Sequence, residues 1–214
     1  MPGDISGRRV RVPAKMQVRA CFRAAPSTIV RAVHRAPLLE LLKGYRPIDA
    51  DDAACAARFS AFVATQPRCF ERGLEIGHVT GSAWIVDAAG SRVLLTHHAK
   101  LDIWVQPGGH CDGDADVAAV ALKEAEEETG LRDLERVDAA LFDLDIHTIP
   151  ARGATPAHEH FDVRFAFRVC ADASEDFVVS DESHDLAWVR LDELERYTRE
   201  RSMLRMREKW MRGA

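Results

Sequence analysis

The stretch that decides the fold is Gly108–Leu131, with the sequence GGHCDGDADVAAVALKEAEEETGL. It opens with a pair of glycines, and a helical pattern of apolar residues follows Asp116. Gly130 stands just past the last position of that pattern, where a glycine commonly terminates a helix. The stretch therefore predicts a glycine-containing loop followed by a helix over residues 116–129.

Three glutamates of this helix are predicted to share one face. At 100° per residue, Glu124, Glu127 and Glu128 fall within an arc of about 100°, next to an apolar stripe formed by Ala118, Ala121, Leu122 and Ala125. Like charges at this spacing destabilise a helix by about 0.2 to 0.5 kcal/mol per pair, so a cation should compensate them. Carboxylate oxygens suit Mg²⁺ or Mn²⁺. Taken alone, the same face favours a solvated acidic surface over a metal site.

The flanks of the helix point to a known motif. The stretch resembles the Nudix box, G-x5-E-x7-R-E-U-x-E-E-x-G-U, in which U is an aliphatic residue. Alignment on Gly109 brings six further residues to their expected places: Glu124, Ala125, Glu127, Glu128, Gly130 and Leu131. Trp104 and Gln106-Pro107-Gly108-Gly109-His110 also resemble the W-x-x-P-G-G-H approach to that box.

The motif departs from the family pattern at two positions. Ala115, flanked by Asp114 and Asp116, stands at the first glutamate, and Lys123 stands at the arginine. In the family these two residues support the loop and orient the metal-binding glutamates. Asp114 would replace the glutamate after a small loop shift, and lysine keeps the charge without the bidentate fork of arginine. We expect these changes to affect efficiency more than the type of reaction.

The resemblance implies an α/β fold, a Nudix-type α/β/α sandwich with a mixed sheet. It implies hydrolysis of a nucleoside diphosphate linked to another moiety, with Mg²⁺, or Mn²⁺ in its place, as cofactor. Glu124, Glu127 and Glu128 become the expected metal ligands, with Lys123 beside them. Either Glu128 or Glu182, in a later loop, is expected to position the attacking water, although Glu182 is equally consistent with a solvated loop acid.

Substrate recognition is less defined by the sequence. Five residues are expected to contact substrate: Gly108, Gly109, His110, His160 and Arg164. Nucleoside triphosphates are favoured slightly over nucleotide sugars and ADP-ribose. The alternative function is a catalytically weak nucleotide-binding module, which Ala115 and Lys123 motivate. A transition-metal site at His158 and His160 is not expected, because too few further ligands are identifiable.

The rest of the chain divides into three parts. Residues 1–36 form a basic extension that is expected to be disordered or dispensable, and residues 37–75 a helical segment that packs on the next domain or mediates a homodimer. The Nudix domain is expected over 76–214. It should contain a hairpin over 78–86 and 92–97, strands at 103–106, 137–145, 161–169 and 187–190, and helices near 191–197 and 203–210. The interval 148–160 is predicted to be a long specificity loop.

Charge and cysteine content limit the partners. Residues 1–36 carry eight basic residues against one acid, or +7, whereas residues 37–214 carry 21 against 33, or −12. An acidic body argues against nucleic acid as a partner, and no apolar run approaches the roughly 20 residues of a membrane span. The five cysteines include no C-x-x-C pair, which favours free thiols and a cytoplasmic location.

Overall fold

The computed structural model describes residues 34–181 and 183–213. Eight strands and four α-helices are assigned in these residues, with a 3₁₀ segment before the last helix. In chain order they are α1 (Ala36–Gly44), α2 (Ala50–Thr65), β1 (Gly77–Val86), β2 (Arg92–His98), β3 (Ile103–Val105), β4 (Gly108–His110), α3 (Val117–Thr129), β5 (Leu134–Arg136), β6 (Asp143–Ile149), β7 (His158–Val169), β8 (Ser183–Arg190), the 3₁₀ segment Leu191–Arg196 and α4 (Arg201–Met211). The expectation for residues 1–36 lies almost entirely outside the described residues.

The strands form one mixed sheet. β1 pairs with β7 in parallel along its whole length, from Gly77 opposite Glu159 to Val86 opposite Arg168. The other pairings are antiparallel, and two of them concern the site: β4 with β1, and β6 with β7. Buried apolar residues on one side of the sheet join α1, α2 and α3, and those on the other side join α4. The predicted α/β/α sandwich with a mixed sheet is confirmed.

Several element boundaries differ from the sequence expectation. The strand predicted over 137–145 is displaced, because residues 137–142 are irregular and β6 begins at Asp143. The predicted long loop 148–160 is also shorter, since Thr148–Ile149 belong to β6 and His158–His160 to β7. The remaining eight residues form a connection closed by an isolated bridge between Arg152 and Thr155. No helix in the described residues is both long and apolar enough to cross a membrane.

One face of the sheet carries a continuous band of polar residues. Side chains two positions apart on a strand share a face, and the registers align His78 with His160, Thr80 with Asp162, and Asp145 with Asp162. We call this band the polar face. It comprises His78, Thr80 and Ser82 on β1, His158, His160, Asp162 and Arg164 on β7, and Asp143, Asp145 and His147 on β6.

Candidate active site

The glutamate-bearing helix α3 has well-defined ends. The carboxylate of Asp116 caps the first turn by accepting a hydrogen bond of 3.1 Å from the amide of Ala119. At the other end, Gly130 adopts the left-handed conformation with φ of 72°, and its amide bonds to the carbonyl of Glu126. These termini fix the rotation of the helix, and with it the face on which the glutamates lie.

Glycines allow α3 and β4 to lie close to one another and to β1. A Cβ atom on Gly109 would lie 2.6 Å from Cδ of Glu124, and one on Gly81 would lie 2.9 Å from the carbonyl oxygen of Val117. A side chain at position 81 would therefore displace the backbone of α3, and one at position 109 would displace the carboxylate of Glu124. The close approach brings the main chain of β4 directly against the glutamates.

The three predicted metal ligands on α3 lie beside Gly108 or beside Lys123. The amide of Gly108 donates to Oε1 of Glu128 at 3.0 Å, and this glutamate is buried with 9% of its surface exposed. Lys123 Nζ lies 3.1 Å from Oε1 of Glu124 and 3.3 Å from Oε2 of Glu127. The hydrogen bond to Glu124 raises the pKa of Lys123. The structure thus brings Glu124, Glu127 and Lys123 together and places Glu128 beside the glycine loop.

Asp114 and Asp116, the acids on either side of Ala115, form hydrogen bonds at the start of α3. The carboxylate of Asp114 accepts a hydrogen bond of 2.9 Å from the amide of Asp116, which itself caps the helix. Ala115 packs against the apolar core. Asp114 is therefore engaged in the local turn, and the small shift envisaged for it would break that contact. Glu182, the expected late acid, lies outside the described residues.

Arg164 is placed differently from the expectation that it contacts substrate. Its side chain is 3% exposed and forms ion pairs with Asp162 at 2.7 Å, Asp143 at 3.2 Å and Asp145 at 3.4 Å. The guanidinium therefore has three carboxylate partners inside the sheet. This position gives Arg164 a structural role and leaves little of it available to a ligand.

The arginine belongs to a larger buried group of charges. We call Asp52, Asp143, Arg164, Arg205 and Lys209 the ion cluster. Asp143 is fully buried and receives hydrogen bonds from Arg205 at 2.8 Å and Lys209 at 2.6 Å. Lys209 also pairs with Asp52 of α2 at 2.9 Å, and the hydroxyl of Tyr45 donates to Asp52 at 2.6 Å. The ion cluster links α2 to α4 and to the sheet.

Comparison with known proteins assigns the family. The model of the NUDIX domain matches residues 78–209, which is more than half of the chain. The chain belongs to the NUDIX family. The matched region includes α3 with its glutamates, all eight strands except the first residue of β1, and most of α4. The resemblance that the box indicated is thus confirmed over the domain.

Individual relatives match this Nudix chain over shorter regions or at low identity. The m7GpppN-mRNA hydrolase NUDT17 of Xenopus laevis is 33% identical over 95 residues, covering 41% of this chain and 30% of the relative. The chain thus spans less than a third of that relative's length. An Ap4A hydrolase of C. elegans, solved as a binary complex, is 18% identical, covers 63% of this chain and 95% of its own, and superposes with a TM-score of 0.51. The similarity to the Ap4A hydrolase structure shows the fold of this chain.

Two of the predicted substrate contacts, His110 and His160, lie in a group of histidines in the Nudix domain. We call His78, His110, His147, His158 and His160 the histidine cluster. The ring centroids of His78 lie 5.1 Å from His110, 5.1 Å from His158 and 4.9 Å from His160. His147 is 5.4 Å from His160. The cluster gathers residues from four strands at one end of the polar face.

Two histidines of this cluster, His78 and His160, are held in the neutral form. Burial lowers the pKa of His78 to about 4, with further contributions from His110 and His158. Burial likewise lowers the pKa of His160 to about 2, followed by the charges of His110 and His147. An imidazole whose pKa is this low keeps a lone pair near neutral pH, and can therefore accept a hydrogen bond or bind a metal.

Sequence reasoning did not include His78 in the site. The residue appeared only as the first position of a strand, whereas its partner His160 is 82 positions away in the chain. The parallel register of β1 and β7 brings the two together, and such a pairing has no local signal. The spacing of His158 and His160, two apart on one strand, was the only sequence feature that indicated a shared face.

Proposed function

We propose that this chain is a Mg²⁺-dependent Nudix hydrolase that cleaves a pyrophosphate bond in a nucleoside diphosphate linked to another moiety. The observation that carries the proposal is the approach of Glu124 and Glu128 to Gly108 and Gly109. Family membership and the hydrolases among the relatives support a pyrophosphohydrolase acting on phosphorus-containing anhydrides.

The residues at the site fit a hard divalent cation. Glu124, Glu127 and Glu128 offer carboxylate oxygens, the donors that Mg²⁺ and Mn²⁺ prefer. The carboxylate of Glu124 lies directly against Gly109, because that residue has no side chain. When bound, the ion neutralises pyrophosphate oxygens and lowers the pKa of the attacking water. We therefore assign the three glutamates as metal ligands.

The remaining residues of the site have separate roles in the proposal. Lys123 contacts two of the glutamates at once, so it orients their carboxylates as the arginine of the family motif is held to do. Glu128 or Glu182 takes the proton of the attacking water. The main chain of β4 lies next to the glutamates at Gly108, Gly109 and His110. His160 lies beside His110, with 5.1 Å between the ring centroids. These residues face the leaving phosphate or the linked moiety.

The substrate class follows from the relatives only in outline. Their names, an m7GpppN-mRNA hydrolase and an Ap4A hydrolase, add capped and dinucleoside polyphosphate substrates to those considered from the sequence. The net charge of −12 over residues 37–214 opposes binding of a long polyanion. We therefore propose a small nucleotide as the substrate, with nucleoside triphosphates still slightly favoured. A cytoplasmic location and a homodimer remain predictions from the sequence.

A panel of substrates tests the activity. Nucleoside triphosphates, dinucleoside polyphosphates, cap analogues, nucleotide sugars and ADP-ribose should each be incubated with Mg²⁺ or with EDTA, and the nucleotide products separated and quantified by chromatography. We expect one class to be cleaved with Mg²⁺ and none with EDTA. If nothing is cleaved while a nucleotide raises the melting temperature, the chain is a binding module, as Ala115 and Lys123 would then suggest.

A further inference from the structure

The rings of three histidines in the histidine cluster are spaced closely enough to share one metal ion. The centroids of His78, His158 and His160 lie between 4.9 and 5.3 Å apart. Around a tetrahedral Zn²⁺ with Zn–N bonds of about 2.1 Å, imidazole centroids lie roughly 5.2 Å apart. Packed aromatic rings can have the same spacing, so the evidence for a ligand comes from the ring nitrogens.

Nitrogen atoms in this cluster are buried without hydrogen-bond partners. His78 is 2% exposed, and neither Nδ1 nor Nε2 has a partner among the described residues. Nε2 of His160 is buried and likewise lacks one within that part of the chain. Buried polar atoms are normally paired, because leaving one unpaired costs about 1 to 3 kcal/mol. A ligand that accepts the lone pair of each ring would remove the cost at one nitrogen of His78 and at Nε2 of His160.

The ring of His158 is also oriented so that one of its nitrogens can bind a ligand. Nδ1 of His158 lies 3.0 Å from the carbonyl oxygen of Pro156, so Nδ1 carries the proton and donates, and Nε2 keeps its lone pair. Metal-binding histidines typically donate the other ring N–H to a carbonyl or carboxylate in this way. The carboxylate of Asp145 holds His147 similarly at 3.1 Å.

One ligand atom each from His78, His158 and His160 can lie within 4.8 Å of the other two. Nitrogen ligands of a tetrahedral Zn²⁺ lie roughly 3.4 Å apart, so binding requires the rings to move by about 1 Å. Imidazole nitrogens favour Zn²⁺ and its neighbours in the transition series, whereas Mg²⁺ prefers oxygen. The cluster and the glutamates therefore differ in the cations they select.

We infer that His78, His158 and His160 bind a divalent transition-metal ion, with Zn²⁺ as the reference ion. The site is separate from the glutamates, and the inference does not rest on the proposed hydrolase activity. The ion joins β1 to β7, the two strands that supply its ligands.

Direct measurement of zinc binding tests this site. The full chain, free of any histidine tag, is titrated with Zn²⁺ in excess Mg²⁺, which occupies the glutamates, and its zinc content is measured after dialysis. We expect one equivalent of Zn²⁺, a rise in melting temperature on binding, and a four-coordinate visible spectrum with Co²⁺. Replacement of a ligand should weaken zinc binding by more than about 100-fold, since outer-shell partners alone are worth about 10- to 100-fold.

Four variants assign the ion to its ligands. His160→Ala and His158→Ala should lose zinc. His158 is only half-buried, so its variant keeps the test valid if His160→Ala fails to fold. His184→Ala removes an exposed histidine beside His97, and Glu127→Gln removes a proposed magnesium ligand; both should retain zinc. The inference is overturned if the wild-type chain binds no zinc in Mg²⁺, or if folded His158→Ala binds it as tightly as wild type.

Discussion

The ion cluster and the histidine cluster adjoin along the polar face, and they differ in whether their buried polar atoms have partners. Asp143, fully buried, is contacted by Arg164, Arg205 and Lys209. His78 is equally buried, yet both of its ring nitrogens lack a hydrogen-bond partner among the described residues. The buried polar atoms of the ion cluster are therefore paired, whereas those of His78 are not.

The difference separates structural groups from ligand-binding groups. A buried charge is retained only when opposite charges and hydrogen bonds compensate it, and the ion cluster meets this requirement across α2, β6, β7 and α4. A buried imidazole avoids that requirement by losing its proton, and then keeps a lone pair for a ligand. We therefore expect changes in the ion cluster to reduce stability and changes in the histidine cluster to alter binding.

The largest effect is expected in the ion cluster. Asp143→Ala removes the carboxylate that Arg164, Arg205 and Lys209 share, and leaves Lys209 with Asp52 alone. It should lower the free energy of unfolding by about 3 to 5 kcal/mol. Urea denaturation measures the change. Asp192→Ala is the control, because Asp192 pairs with Arg190 on the surface and its loss should leave the free energy of unfolding almost unchanged. Equal losses in both variants would contradict the comparison.

A smaller loss of stability is expected at low pH. Burial raises the pKa of Asp145, but Arg164, His147 and Arg205 outweigh it and lower the pKa to about 2 from its usual 3.8. A carboxylate with a lowered pKa stabilises the fold above its unfolded pKa, and this contribution is lost as the pH falls towards 2. At 1.36 kcal/mol per unit, the loss is about 2 kcal/mol.

Urea denaturation between pH 5 and pH 2 measures this acid sensitivity. Asp145→Asn cannot titrate, so its stability should fall less over this interval than that of the wild type, while it is the less stable protein at pH 5. The assignment of the ion pairs to Asp145 is wrong if both proteins lose stability in parallel.

The smallest effect is expected at His78. In EDTA, His78→Leu replaces a buried imidazole that lacks partners with an apolar side chain of similar size, so the free energy of unfolding should rise by about 1 kcal/mol. With Zn²⁺ present the order should reverse, because only the wild type gains from binding. A loss above about 2 kcal/mol in EDTA would show that His78 has a structural role like that of Asp143.

Local signals predicted the elements that are defined by their own residues. The helix expected over 116–129 is α3 over Val117–Thr129, because Asp116 and Gly130 supply its caps. The hairpin expected over 78–86 and 92–97 matches β1 and β2 within one residue. The prediction that Glu124, Glu127 and Glu128 share one face followed from helical geometry in the same way.

Pairing between strands that are far apart in the chain could not be predicted from the sequence. Gly108–His110 was predicted to lie in a glycine-containing loop, but it pairs with Thr80–Ser82 as β4. The displaced start of β6 at Asp143 is fixed by its pairing with Arg164 rather than by residues near it. For the same reason the burial of Arg164 and the partnership of His78 with His160 became apparent only in the folded chain.

The most direct test of the central claim compares two neighbouring glutamates of α3. On the substrate cleaved best, kcat/KM with Mg²⁺ should be measured for Glu127→Gln and Glu126→Gln. Glu127 lies beside Glu124 and Lys123, whereas Glu126 pairs with Arg132 away from them. We predict a loss of at least about 100-fold for Glu127→Gln, or ~2.7 kcal/mol, and no change for Glu126→Gln. Equal activity in the two variants would contradict the assignment of the glutamates as metal ligands.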